Sequence, residues 1–481
     1  MHPRAAVRPS SVQRDPRMLQ ACHPRQLQKR SADEPRVLSY GPESMWYLHR
    51  LAPDSPVYNV PFLSRLNGRL DAPAFKKALD ALVERQEVLR TVFLASRGTP
   101  VPFVLKKRPV DLKQVDLRHL PQAQREFEAH RLANQEAAVP FNLTRDPMLR
   151  PFLFQLADEE HMFLFVTHHI VFELGSLAIL HHDLSSFYNA FVSNQVPELP
   201  ELTFQESEFA LWQRRTLQGD RLETLGKYWK QQLTGAPVVQ LPLDFPRPRS
   251  HTHRGTRRFF DISPELASGA NTFFRSAGTT PYRGLLAAFN IFLHCYSGLT
   301  DICVGSPFAS RCSGIENTIG FFANTLVLRT DLSGDPTFRG VVKKVDRVVL
   351  RAIANSDLSF EKIVAAVQPP RDPSRTPLFQ ISFRGRTQPY ASLQLHGLAA
   401  GTPEFLDNGT AKFDLALELE SSTGKACFFE YCTDLFKEQT VIQMEKDFQD
   451  LLQGLIAEPD TRLSEARTVT GISQRFARLR R

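Results

Sequence analysis

The sequence has few cysteines and none of the cysteine patterns that staple small secreted domains or bind metals. Its 481 residues contain six cysteines, without a CxxC pair or a close cluster. In a chain of this length, such cysteines are typical of reduced, mostly buried thiols in a cytoplasmic protein, and a disulfide framework is not expected. The six are Cys22, Cys295, Cys303, Cys312, Cys427 and Cys432.

Long apolar runs and concentrated charge are also absent. No stretch approaches the roughly 18–20 apolar residues of a membrane span, and the N-terminus lacks the apolar core of a signal peptide. The formal net charge of +8, from 59 Lys and Arg against 51 Asp and Glu, is scattered except at the two ends. These features favour a cytoplasmic location, with neither a membrane nor a nucleic acid as partner.

The motifs of several large enzyme classes are missing as well. There is no HExxH for zinc, no GxSxG for a nucleophilic serine, and neither GxGxxG nor GxxxxGK[ST] for nucleotide phosphates. Histidines and Glu173 lie close together between residues 168 and 182, but adjacent histidines on a strand diverge, so a metal site is not expected. The sequence predicts no bound cofactor.

The composition of the chain predicts four parts. Residues 1–35 combine repeated prolines with Arg, Gln and Ser and lack any regular period, which predicts a disordered basic extension. Two α/β lobes of comparable size are expected at 36–205 and 206–465, because helical and strand patterns alternate in both. The Arg-rich residues 466–481 are expected to form a basic tail.

Hydrophobic periodicity predicts the elements within each lobe. In the first lobe it indicates a helix at 72–85, a short strand at 89–93, a β-hairpin at 152–169 with its turn at 157–160, and a helix at 176–191. From residue 205 onward it indicates helices at 205–219, 221–233, 284–298, 338–355 and 436–456, and strands at 301–309, 324–330, 378–384, 413–420 and 426–432.

Two adjacent histidines, His168 and His169, end the second strand of the predicted hairpin. Neighbouring strand residues point to opposite faces, so one imidazole can enter a cavity while the other is held in the structure. A neutral imidazole can orient or deprotonate an amine or a hydroxyl. The pair alone is also compatible with two structural histidines, as expected for His181 and His182 on the following helix.

The segment THHIVFELGS (167–176) resembles the HHxxxDG motif of nonribosomal peptide synthetase condensation domains, in the atypical form HHIVFEL. Other segments resemble further motifs of that family, in the family's order. They are SYGPESMWYL (39–48), RQEVLRTVF (85–93), QESEFALWQ (205–213), GSPFASR (305–311), IGFFANTLVLR (319–329), NSDLSFEKIV (355–364), RDPSRTPLFQISF (371–383), NGTAKFDLALEL (408–419) and YCTDLF (431–436). The resemblance spans roughly residues 36–465.

This resemblance implies an α/β fold of two chloramphenicol-acetyltransferase-like lobes, arranged as a V-shaped pseudo-dimer around a central tunnel. It implies an acyltransferase that joins a carrier-bound acyl or peptidyl thioester to the amine of a carrier-bound aminoacyl acceptor. The phosphopantetheine arms come with donor and acceptor peptidyl carrier proteins, and adenylation or further carrier domains are candidate neighbours. A monomer is expected, either free-standing or as a piece of a megasynthase.

The resemblance also assigns roles to residues of the motif. His169 is the catalytic candidate and His168 a structural one, while Glu173 stands at the family's aspartate, which pairs with an arginine. Arg90 is the first choice for that partner and Arg311 the second.

Leu174 stands where the family has glycine, which permits a tight turn, and Gly175 is expected to take over that turn. The leucine side chain is expected to reach into the tunnel, and Ser306 and Asn324 are further candidates for its wall. Because Glu173 and Leu174 depart from the motif, two alternatives stay open. One is a degenerate, non-condensing platform that recruits other proteins; the other is a variant that forms an ester or a modified product.

Overall fold

The structure is a computed structural model that describes residues 27–31 and 33–465. It is a mixed α/β fold with two six-stranded sheets and one two-stranded sheet among these residues. Each large sheet has its own hydrophobic core. None of the helices in this part of the chain combines the length and apolar character that a membrane span requires.

The α-helices are α1 (Tyr40–Leu51), α2 (Ala72–Arg85), α3 (Gln122–Ala137), α4 (Leu174–Val192), α5 (Glu206–Thr216), α6 (Gly219–Leu233), α7 (Pro264–Ser276), α8 (Pro281–Ser297), α9 (Phe338–Ala354), α10 (Phe360–Val367) and α11 (Glu438–Ala457). Short 3₁₀ helices span Glu87–Arg90 and His169–Val171.

The strands are β1 (Asn59–Gly68), β2 (Thr91–Ser96), β3 (Thr99–Val104), β4 (Lys113–Asp116), β5 (Leu149–Ala157), β6 (Glu160–His168), β7 (Gly255–Phe260), β8 (Asp301–Ala309), β9 (Ala323–Asp331), β10 (Ile381–Arg386), β11 (Leu398–Ala400), β12 (Glu404–Phe405), β13 (Leu415–Glu420) and β14 (Cys427–Cys432).

Local sequence signals explain where several helices begin. Asp71 caps α2 by accepting a hydrogen bond from the Ala74 amide at 2.9 Å. Ser263, Thr280 and Thr337 cap α7, α8 and α9 in the same way, and α7 and α8 carry a proline in the first turn. These caps satisfy backbone donors that a helix start leaves without partners.

The first large sheet has the order β11-β1-β6-β5-β4, and β12 also pairs with β1. The hairpin β5–β6 is antiparallel, and β1 pairs with all of β6, from Asn59 opposite His168 to Asn67 opposite Glu160. The edge strands β11 and β12 come from beyond residue 390, and their residues lie opposite Leu66 and Phe62 of β1. The first sheet therefore draws strands from both sides of the lobe boundary expected at residue 205.

The second large sheet has the order β7-β14-β13-β10-β8-β9. Strands β8, β10 and β13 are parallel to one another, and the remaining pairs are antiparallel. Helix α8 is buried along nearly its whole length and packs against this sheet together with α11. Two layers of this kind, helix on sheet, enclose the second core.

The predicted helices and strands are found, with ends displaced by a few residues. The strand expected at 89–93 is an exception, because its first residues form the 3₁₀ helix Glu87–Arg90 and the strand itself is β2. Several elements had no sequence prediction, among them α1, β1, α3 and β7.

The ends of the chain lie largely outside the described residues, including 1–26 of the expected extension and the expected tail 466–481. Within the expected extension, Leu27 packs against the small apolar cluster around Phe209 and Phe322. The Arg30 amide donates to Glu208, and Glu34 forms an ion pair with Arg215. Leu27, Arg30 and Glu34 are therefore packed against the rest of the protein.

Candidate active site

The two predicted histidines lie at the turn between β6 and α4. Strand β6 ends at His168, the 3₁₀ helix begins at His169, and α4 begins at Leu174 after the extended residues Phe172 and Glu173. The change from strand to 3₁₀ helix turns the two rings into different surroundings: His168 is buried, whereas His169 is partly exposed.

His168 is enclosed by other rings. His49 and Phe141 each contact it edge-on, with ring centroids 5.7 Å away. Its Nδ1 accepts a hydrogen bond from the Ile170 amide at 3.1 Å, which closes the turn. Burial holds the pKa of His168 well below its ordinary value, so the ring is neutral. These contacts agree with the structural role predicted for His168.

His169 presents one ring nitrogen to its surroundings. Its Nδ1 lies 2.6 Å from the Phe172 carbonyl, and a carbonyl oxygen can only accept, so Nδ1 carries the proton. Nε2 is consequently left with a lone pair. Burial lowers the pKa of His169 to about 3, and the positive charge of Lys412 acts in the same direction. The imidazole is therefore neutral near pH 7 and suited to accept a hydrogen bond.

The partner of Glu173 is Arg311, so the preference for Arg90 in the sequence analysis is wrong. Arg311 Nε donates to Glu173 Oε1 at 2.8 Å, and both side chains are nearly buried. Arg90 instead donates to the carbonyls of Leu105 and Glu84, because the 3₁₀ helix that carries it turns it toward β3. Burial raises the pKa of Glu173, and Arg311 opposes that effect.

Arg311 ties the turn to the second half of the chain. Its remaining nitrogens donate to the carbonyls of Ile315 and Thr318 and to Ser176 Oγ, at 2.7 to 3.1 Å. Ser176 Oγ in turn donates to the Gly320 carbonyl at 3.0 Å. We call Glu173, Ser176 and Arg311 the Glu173–Arg311 brace; Ser176 is a member that sequence analysis did not identify.

Gly175 fits tightly against the brace and is not in a left-handed conformation. A Cβ on Gly175 would lie 3.2 Å from Arg311 Nε and 3.3 Å from Glu173 Oε1. Leu174 begins α4 and is absent from the residues with positive φ in the described chain. The backbone of Leu174 is therefore not strained, and Gly175 has no positive-φ turn to take over. The Leu174 side chain is 40% exposed.

Ser306 and Asn324, expected on a tunnel wall, have partners within the protein. Ser306 Oγ donates to the Phe383 carbonyl at 2.7 Å and contacts the Tyr282 hydroxyl at the same distance. Asn324 Nδ2 donates to two carbonyls, those of Ser356 and Leu358, and its Oδ1 accepts from the Phe360 amide at the start of α10. Contact of either side chain with substrate stays a prediction.

Three further side chains near the turn escaped the sequence analysis. Gln86 is fully buried and links Asp183 of α4 to the Asn317 carbonyl and the Ile319 amide. Lys412 and Arg384, from the second half of the chain, both exert a positive field on His169. The position of Gln86 was visible within a family-like motif, but nothing local in sequence placed Lys412 and Arg384 beside the histidines.

The other histidine pair and the cysteines have ordinary surroundings. His181 is buried and its Nδ1 donates to the Ala391 carbonyl at 2.6 Å, whereas His182 is exposed. The five cysteines of the described residues are buried, and Cys22 lies outside that part of the chain. Residues 27–31 and 33–465 contain no cluster of His, Cys, Asp or Glu arranged to hold a metal ion.

The two lobes and their sheets place the protein in the class of chloramphenicol-acetyltransferase-like folds, with a His-His turn at the end of one central strand. The family model for the condensation domain matches residues 38–476. The chain therefore belongs to the condensation-domain family.

Relatives in this family are parts of large peptide synthetases. One of the proteins that make up the linear gramicidin synthase of Brevibacillus parabrevis is 42% identical over 428 residues, which are 88% of this chain and 8% of that protein. Phosphinothricin tripeptide synthetase PhsC from Streptomyces viridochromogenes is 34% identical over 91% of this chain and 41% of that protein. The chain thus spans well under two thirds of these relatives.

Solved structures of related domains have the same fold. The X-domain from teicoplanin biosynthesis superposes with a TM-score of 0.82 at 26% identity, over 91% of this chain and 99% of that domain. The first condensation domain of the calcium-dependent antibiotic synthetase superposes with a TM-score of 0.78 at 21% identity, over 90% and 99%.

Proposed function

We propose that the protein forms an amide bond between a carrier-bound acyl or peptidyl thioester and the amine of a carrier-bound aminoacyl group. The observation that carries this proposal is the free Nε2 lone pair of His169, fixed by the Nδ1 hydrogen bond to the Phe172 carbonyl. The partners are donor and acceptor carrier proteins, whose phosphopantetheine arms reach His169 through a tunnel between the lobes.

The chemistry of the site favours orientation of the amine over full proton abstraction. With its pKa lowered to about 3, His169 is a weak base, and its lone pair is best used to accept a hydrogen bond from the attacking amine. The amine nitrogen bonds to the thioester carbonyl carbon, and the carbon–sulfur bond then breaks. The proton that the amine loses ends on the departing sulfur, which leaves a free thiol and an amide.

The brace supports an active site in spite of the unusual HHIVFEL motif. Glu173 keeps its arginine partner at 2.8 Å, so the longer carboxylate is accommodated. Leu174 takes a helical conformation and causes no backbone strain. Both departures are therefore compatible with a correctly held His169.

Reconstitution with loaded carrier proteins tests the proposal. One carrier is loaded with an acyl group and the other with an amino acid, and the product on the acceptor is measured by mass spectrometry. Replacing His169 by Ala is expected to slow product formation about 100-fold or more, since a positioned acid–base group contributes at least that much. His182→Ala is the matched control, because His182 is exposed on α4 and should leave the rate unchanged.

Two outcomes would contradict amide formation. The first is an unchanged rate in the His169→Ala variant. The second is the absence of product with every loaded pair, although the domain is folded and binds the carriers. An acceptor with a hydroxyl in place of the amine distinguishes ester formation, because its product differs in mass.

A recruitment platform is the second candidate function. The structure of the X-domain in complex with OxyB, from teicoplanin biosynthesis, superposes with a TM-score of 0.81 at 26% identity. A protein of this fold can therefore hold another enzyme. Binding of a partner enzyme that acts on carrier-bound peptide, without any condensation product, would favour this function over amide formation.

A further inference from the structure

A layer of charged side chains lies on one face of the second sheet. Side chains along a strand alternate between faces, so Leu417 and Phe429 enter the core while their neighbours point to the other side. Several residues on that other side, on neighbouring strands, are charged. We call them, with the adjacent Lys412, the interlobe charge layer: Arg257, Arg384, Arg386, Lys412, Glu418 and Glu430.

The layer faces the first sheet. Arg257 donates to the Leu406 carbonyl and lies over the Phe405 ring, 4.0 Å from its centroid. Phe405 belongs to β12 and stacks on Phe62 of β1. Lys412 Nζ lies 5.2 Å from the centroid of Tyr58, and the Tyr58 carbonyl accepts a hydrogen bond from the His169 amide at 2.8 Å. The layer therefore reaches the surroundings of His169.

The six side chains of the layer are four cations and two anions; Glu420, on the same face of β13 as Glu418, accepts hydrogen bonds from the Ser422 and Thr423 amides instead. Arg257 and Arg386 form close hydrogen bonds with the two carboxylates. Arg257 donates to Glu430 at 3.0 and 3.1 Å, and Arg386 donates to Glu418 at 2.8 Å. Glu418 also accepts a hydrogen bond from the Tyr390 hydroxyl at 2.8 Å, so the short hydrogen bonds of both carboxylates are made by groups other than Arg384 and Lys412.

Arg384 and Lys412 are held much more loosely. Arg384 lies 3.5 Å from Glu418 and 3.7 Å from Glu430, and its Nε has no hydrogen-bond partner among the described residues. Lys412 Nζ contacts the face of the Tyr58 ring. Burial lowers the pKa of Lys412 to about 7, and Arg384 and Arg257 act in the same direction, so the opposing charge of Glu430 compensates the ammonium only in part.

An under-compensated cation in a shielded place is costly, and a matching anion removes the cost. A guanidinium presents two parallel donors to a carboxylate, and an ammonium adds a third. Both groups exert their field on the ring of His169, where the substrate's reacting atoms are expected.

We propose that Arg384 and Lys412 bind a carboxylate carried by the substrate that reaches His169. The domain would then prefer a donor or acceptor group derived from a dicarboxylic acid or an acidic amino acid. This inference rests on the proposed function for its substrate, but it concerns specificity and can be tested by binding alone.

The test uses stable pantetheine amides in place of thioesters, so that no turnover is needed. A donor pair carries succinyl or succinamyl groups, and an acceptor pair carries aspartyl or asparaginyl groups; each pair differs only in carboxylate against carboxamide. Calorimetry is expected to give a dissociation constant about tenfold or more lower for the carboxylate member of one pair, as one or two charge-assisted hydrogen bonds provide. The pair that discriminates identifies the arm that carries the acidic group.

Two variants and one control locate the effect. Arg384→Gln and Lys412→Met are each expected to remove most of the preference, without changing the affinity for the neutral amide. Arg258→Gln is the control, because Arg258 is on the same strand as Arg257 but pairs with Glu445 outside the layer.

The inference is overturned if wild type binds both members of each pair equally. It is also overturned if the variants lower the affinity for the neutral and the anionic amides alike. That result is expected if Arg384 and Lys412 are purely structural, or if they stabilise only the oxyanion of the reaction. A domain that distinguishes carboxylate from carboxamide but makes no product would refute the proposed function alone.

Discussion

The Glu173–Arg311 brace and the interlobe charge layer both lie near His169, yet Arg311 in the brace and Arg384 in the layer differ in how closely their nitrogens are paired. In the brace, all three nitrogens of Arg311 donate hydrogen bonds within the protein. In the layer, Arg384 only reaches its carboxylates at 3.5 and 3.7 Å. An arginine whose nitrogens all donate hydrogen bonds within the protein stabilises the fold, whereas an arginine with an unused donor can bind a ligand.

The first and largest predicted effect concerns the brace. Replacing Arg311 by Met would leave the Glu173 carboxylate buried without its partner, and we expect a loss of about 3–5 kcal/mol in the free energy of unfolding. Urea denaturation measures it. Arg339→Met is the control, because the exposed Arg339–Asp460 pair should contribute less than about 1 kcal/mol. Equal losses in the two variants would remove the distinction between brace and surface pair.

The second prediction concerns pH, where the layer acts on the histidine. Because the pKa of His169 is about 3 in the folded protein and about 6.5 when unfolded, only the unfolded chain takes up this proton between those values. The contribution of the neutral His169 ring to the free energy of unfolding is therefore complete above about pH 6.5, and it decreases as the pH falls below that value. The groups around the ring are the Phe172 carbonyl, Phe321, Lys412 and Arg384.

Between pH 6.5 and pH 5, His169 should account for a loss on the order of 2 kcal/mol in the free energy of unfolding. Denaturation of His169→Gln at several pH values should show a correspondingly shallower dependence. The exposed His182, replaced by Gln, should leave the dependence unchanged. The same slope in wild type and His169→Gln would mean that the imidazole is not held neutral.

A third prediction measures how tightly the brace is packed. A methyl group on Gly175 would press on Arg311 and Glu173, and Gly175→Ala should cost about 1 kcal/mol in spite of alanine's better helix propensity. Gly226→Ala in α6 is the matched control, since its Cβ would meet only Ala366 at 3.8 Å. Gly226→Ala should raise the melting temperature slightly, and thermal unfolding measures both variants. A stabilising Gly175→Ala would show that the brace yields easily.

The smallest predicted effect belongs to the layer. Arg384→Gln should change the free energy of unfolding by less than about 1 kcal/mol, because its ion pairs with Glu418 and Glu430 are long. Thermal unfolding measures this next to Arg311→Met. A loss as large as that of Arg311→Met would place Arg384 among the structural charges.

Much of the fold was predictable because periodicity is a local property. The hairpin β5–β6 and helix α4 follow from apolar spacing, and they place the two histidines correctly. The pairing of β11 and β12 with β1 was not predictable, since it joins segments more than 300 residues apart through strands of two or three residues.

The site was predictable in part for the same reason. His168, His169 and Glu173 lie on one continuous segment, whereas the choice between Arg90 and Arg311 depends on which arginine the fold brings to Glu173. The interlobe charge layer had a faint signal: charged residues at alternate positions of otherwise apolar strands, as in LALELE (415–420). Only the second sheet brings those positions together.

The short strands β11 and β12 have a consequence for the exchange of lobes between related domains. A hybrid joined near residue 205 would keep β1 from one parent and receive its edge strands from the other, at the register Leu66 opposite Ala400 and Phe62 opposite Phe405. Such a hybrid needs matched side chains at that seam as well as at the junction itself. An exchange at residue 205 therefore divides the first sheet between two parents, because the boundary between the halves of the sequence is not the boundary between the two sheets.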